Sequence, residues 1–92
     1  MILLEKLTKI GMEAGSRISA QTKRLRKIAD LKAEIATCDE VIGKNYLKIG
    51  KAVCDARLSG TQPEEALLDK CTVAVKNARH GREELEKELR NI

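Results

Sequence analysis

Isoleucine recurs every seven residues at Ile28, Ile35, Ile42 and Ile49, and each is followed by a small residue: Ala29, Ala36, Gly43 and Gly50. A seven-residue apolar repeat is the pattern of a helix with one face against another helix. With the isoleucines and Ala56 at a, the d positions are Leu31, Cys38, Asn45 and Ala52. This seam predicts a long helix over 27–58, about 48 Å at 1.5 Å per residue. Asn45 interrupts it, and a polar residue inside a seam can set register at some cost in stability. Tyr46 can supply the missing apolar area while its hydroxyl reaches water. The small residues need a separate reason. Two glycines in an exposed helix interior cost about 2 kcal/mol relative to alanine. That cost makes sense if a second helix packs closely on the b stripe. The repeat therefore predicts two neighbours for this helix: one across the isoleucines, and either the N-terminal helix or a subunit mate across the small residues.

The segment "RLSGTQPEEA" ends the long helix. Gly60 suits a left-handed position after the last turn. Thr61 and Glu64 have capping-box spacing, with Pro63 in the first turn of the next helix. A turn over 59–62 makes the flanking helices antiparallel neighbours. The return helix, 63–92, carries Leu68, Cys71, Val75, Ala78, Arg82, Leu85, Leu89 and Ile92 at alternating steps of three and four. Arg82 is its one non-apolar member, and its aliphatic stem can lie along the seam. "REELEKELR" offers i,i+4 charge pairs on a solvated face.

Residues 1–26 read as a basic amphipathic helix, with Leu3, Leu7, Ile10, Ala14, Ile18, Gln21 and Leu25 on one side. It either extends the long helix or folds back on the hairpin. Residues 1–30 hold seven basic and three acidic groups, and residues 31–92 hold eleven of each, so the whole net charge of +4 sits in the first third. Lys6, Lys9, Lys23, Arg24, Arg26 and Lys27 are the candidate contacts to anionic lipid or another polyanion. No aromatic residue is interleaved with "QTKRLRK" to stack on bases, so nucleic acid is the weakest of these readings.

The remaining chemistry is sparse. The three cysteines, Cys38, Cys54 and Cys71, are odd in number and lack CxxC spacing, which argues against a disulfide framework and for a reducing compartment. Cys38 and Cys71 fall on seam positions as small apolar residues. His80 stands alone, without the partners of a metal site or a nucleophile. There is no phosphate-binding glycine loop, HExxH or GxSxG. No catalytic residue, metal ligand or cofactor site is expected, and the chain reads as a non-enzyme. No run is apolar for long enough to span a bilayer.

The stretches Lys6–Lys9, Ile28-Ala29-Asp30-Leu31, Tyr46-Leu47-Lys48-Ile49-Gly50-Lys51 and "TQPEEALLDK" together resemble the helical N-terminal region of a family of small bacterial zinc-ribbon-type proteins of unknown function. The resemblance covers nearly the whole chain and implies a helical hairpin. Paired CxxC motifs are absent here, so zinc binding is not carried over, and the family offers no catalytic residues to transfer. The chain also resembles, less well, the helical hairpins of the WXG secretion family, but its turn lacks Trp-x-Gly.

These readings converge on a single all-α domain, a coiled-coil-like antiparallel hairpin with an N-terminal amphipathic helix. With no phenylalanine or tryptophan, a two-helix core is thin, which favours self-association. The expected function is a cytoplasmic, non-enzymatic scaffold or protein–protein interaction module. It is expected to be a homo-oligomer, most simply a dimer with a four-helix core. Its expected interface residues are Ile28, Leu31, Ile35, Ile42, Gly43, Tyr46, Ile49, Gly50, Val53, Leu68, Val75, Leu85 and Leu89. The alternative is a peripheral protein held at the inner face of the membrane by its basic N-terminal helix.

Overall fold

The computed structural model describes residues 15–92, and side chains from Ser19 onward. It contains two α-helices, α1 (Gly15–Ser59) and α2 (Glu65–Arg90), packed antiparallel. At 1.5 Å per residue these are about 67 Å and about 39 Å long. The fold is therefore an all-α helical hairpin with unequal arms. No break falls between residues 26 and 27: from Gly15 onward the N-terminal segment extends the long helix. Residues 1–14, with Leu3, Leu7, Ile10 and Ala14 of the expected amphipathic face, lie outside the described residues.

The seam forms where the periodicity placed it. On α1, Ile28, Leu31, Ile35, Cys38, Ile42, Asn45, Ile49, Ala52 and Ala56 are all buried or half-buried. On α2 the same holds for Leu68, Cys71, Val75, Ala78, Arg82, Leu85 and Leu89. Leu31, Ala56, Cys71 and Val75 form the buried core, and none is fully enclosed. Two helices can hide only one stripe each, so most side chains keep some contact with water.

The turn follows from its sequence in one half and departs from it in the other. Gly60 has φ +69, the left-handed region. The Thr61 amide donates to the Ala56 carbonyl (2.8 Å) and the Gly60 amide to that of Arg57 (3.3 Å). These are the paired bonds of a Schellman motif. The expected capping box does not form. α2 begins at Glu65 with Glu64 as its N-cap and no side-chain cap bond, while the Thr61 hydroxyl donates back to the Ala56 carbonyl (3.4 Å). A cap at Thr61 requires helical geometry at Gln62, and the ring of Pro63 disfavours that in the residue before it. The helix therefore starts after the proline. Glu65 in its first turn and Lys87 and Arg90 in its last suit the helix dipole.

Candidate interaction surface

Asn45 shows how the seam tolerates a polar residue. Its side-chain amide donates to the Val41 carbonyl one turn back (2.7 Å), so its hydrogen bond stays within α1. Register across the hairpin is marked instead by side chains on one edge. The Arg79 guanidinium donates to the Tyr46 hydroxyl and lies 5.8 Å from its ring centroid, a cation–π distance. Arg82 donates to Asp39 (2.7 Å) and pairs with Glu86 one turn along α2. The hydrogen bond to Asp39 raises the Arg82 pKa above its already high ordinary value. Arg82 is half-buried, in keeping with a stem laid along the seam. Of the expected i,i+4 charge pairs in 82–90 Arg82–Glu86 forms, while Lys87 pairs with Glu84 at i,i+3.

The expected interface residues divide into two groups. Ile28, Leu31, Ile35, Ile42 and Ile49 lie on the seam facing Leu68, Val75, Leu85 and Leu89, so they are spent inside the hairpin. Val53 is half-buried beside them. Gly43, Tyr46 and Gly50 lie outside, all exposed, as are Ala29 and Ala36. A Cβ built at Gly43 or Gly50 meets nothing within 4 Å. None of the described residues is the second neighbour that the small stripe calls for.

That flank is wider than the b stripe alone. Leu47 is 75% exposed and stands four residues from Gly43 and three from Gly50. Ala33 and Cys54, also exposed, fall on the same side. Residues 29, 33, 36, 40, 43, 47, 50 and 54 step alternately by four and three, a second heptad line, with Glu40 its one charged member. At about 100° per residue it lies about 150° around α1 from the hairpin seam. The spacing was available in the sequence; the isoleucine repeat masks it because both lines share one period.

The N-terminal part of α1 forms a second surface. Ile92, just beyond α2, reaches only as far as Arg24, whose guanidinium donates to the Ile92 carbonyl (3.4 Å). Lys27 pairs with Glu88 (3.5 Å). Before Arg24 no residue of α2 runs alongside, and an open groove of about 330 Å³ is lined by Gln21, Arg24, Leu25 and Ile28. Leu25 is 67% exposed, and Lys23 and Arg26 are exposed as well. Lys6 and Lys9 lie outside the described residues.

Among the described residues no group of histidine, cysteine and carboxylate side chains is placed to hold a metal ion. Cys38, Cys54 and Cys71 are free thiols. No helix there is long and apolar enough to cross a membrane. Comparison with protein-family models, curated proteins and solved structures finds no match to this chain.

Proposed function

We propose that this protein is a non-enzymatic helical scaffold that associates with a second copy through the outer flank of α1. The observation that carries the reading is the second heptad line. Gly43 and Gly50 lie open on it, and Leu47 stands exposed between them. Small residues at helical spacing let two backbones approach closely, and a large one between them supplies a knob. A hairpin with four buried residues and none fully enclosed also gains most from a further apolar layer. In the simplest assembly two α1 helices meet at the centre and each α2 lies outside, a four-helix dimer.

The charge on α1 gives this assembly a signature. Residues 15–59 carry ten basic and five acidic groups, so two α1 helices repel and added salt strengthens the dimer by screening. Sedimentation velocity over a concentration series is the test. The dimer forms at micromolar concentration and tightens with salt, and Leu47→Lys abolishes it. A well-folded monomer throughout that range refutes the reading.

A further inference from the structure

The outer heptad line of α1 continues past the residues that define it. One step of three beyond Cys54 it reaches Arg57, and one step of three before Ala29 it reaches Arg26. Glu40 lies between them, and all three are exposed. Neither Glu40 nor Arg57 has an ion-pair partner among the described residues. Because its steps alternate, the line is two interleaved sets. Arg26, Glu40, Leu47 and Cys54 belong to one, and Gly43, Gly50 and Arg57 to the other. Two copies can meet along this line in either direction. In a parallel pair each residue faces its own copy. Glu40 then meets Glu40, Arg57 meets Arg57, and the five cations of residues 15–29 lie beside five more. In an antiparallel pair the three-four alternation stays in step only where one set faces the other. Arg26 shares a set with Glu40, so the cation of the line that can face Glu40 is Arg57.

Resting on self-association through the outer flank, we propose that the two copies run antiparallel in the register that sets Glu40 opposite the partner's Arg57. The same register sets Leu47 opposite the partner's Gly50 and Cys54 opposite the partner's Gly43. In both layers a larger side chain enters the space over a residue that has none. The two-fold axis passes between Leu47 and Gly50 and repeats every pair. The overlap covers residues 38–59, about 33 Å of helix. That stretch holds four basic and three acidic groups, so it is nearly neutral, and the basic turns before it are carried to opposite ends of the dimer. At the rim Tyr46 comes beside the partner's Val53 and Lys44 beside the partner's Lys51. The lysine pairs leave a repulsion that salt screens. Sliding one helix by a heptad toward fuller overlap sets Glu40 over the partner's Gly50 and leaves it unpaired. A second such slide sets Arg57 against the partner's Arg26.

The test uses the full chain and sedimentation velocity. Glu40→Arg and Arg57→Glu each bring like charges together at two symmetric points and are expected to weaken the dimer more than about tenfold. The exchange Glu40→Arg/Arg57→Glu restores opposite charges and returns the dissociation constant to within about threefold of the original. Circular dichroism checks that all three variants keep their helix content. The native Cys54 thiol, which is free and exposed, gives a second readout with oxidised glutathione as oxidant. In the antiparallel register the two copies of Cys54 lie about 16 Å apart along the rod, too far to bridge. A dimer linked by Cys54 to Cys54 overturns the proposal, because it requires a parallel pair or another register. Single variants that dimerise as tightly as the original chain overturn the register, as does an exchange that fails to restore the dimer, and both leave self-association through the flank standing. An original chain that stays monomeric overturns both.

Discussion

Replacing Gly43 and Gly50 together by alanine separates the stability of the hairpin from its association. Neither added methyl meets an atom within 4 Å, so within one chain the change is free of steric cost. Each alanine in a helix interior is favoured over glycine by about 1 kcal/mol, so the double variant gains about 2 kcal/mol as a monomer. For a domain of this size that is a rise in Tm of about 8–16 °C. Thermal unfolding followed by circular dichroism, at a concentration below the dimer threshold, measures it. The same two methyl groups hold apart any helix seated on the flank, so the dimer dissociation constant rises even as the monomer gains stability. Gly81 serves as the internal control. Its added Cβ would lie 3.9 Å from the Cys38 sulfur, an ordinary contact inside the hairpin. Gly81→Ala is therefore expected to stabilise by about 1 kcal/mol and to leave association unchanged. Loss of monomer stability in Gly43→Ala/Gly50→Ala would refute the open-flank geometry. A gain in stability with unchanged association would refute the flank as the interface.

Other outcomes follow from the same geometry. Leu31, 5% exposed, and Leu47, 75% exposed, are chemically identical. Leu31→Ala is expected to cost about 2–3 kcal/mol in chemical denaturation, and Leu47→Ala less than about 0.5 kcal/mol in the monomer. Gly60→Ala places a Cβ in the left-handed turn and costs about 1 kcal/mol, with Gly60→Asn costing less, measured by urea unfolding. Maleimide labelling of the native monomer proceeds fast at the exposed Cys54 and slowly at the buried Cys71. Because Cys54 lies on the outer heptad line, its labelling slows as protein concentration rises; a rate independent of concentration would count against that interface.

The heptad of isoleucines and the alternating steps of the return helix determined, without coordinates, that the chain is an antiparallel hairpin and which side chains line its seam. Periodicity is enough there because a helix turns by a fixed angle, so spacing alone decides which residues share a face. Gly60 was legible for a similar reason: few residues other than glycine adopt its dihedral without strain. The start of α2 was not, because the capping-box pattern at Thr61 competes with the restriction Pro63 imposes on Gln62, and motif spacing alone does not say which prevails. Asn45 likewise read as a residue that can set register, and its side-chain hydrogen bond instead stays within its own helix. The two possible neighbours of the small stripe were equivalent in sequence. The tertiary structure settles one part of this: α1 runs unbroken from Gly15, so residues 15–26 continue the rod and do not fold onto the flank. The lengths of the two arms then decided the rest: α2 is shorter than α1, so the turns of α1 between Gly15 and Arg24 have no helix beside them among the described residues.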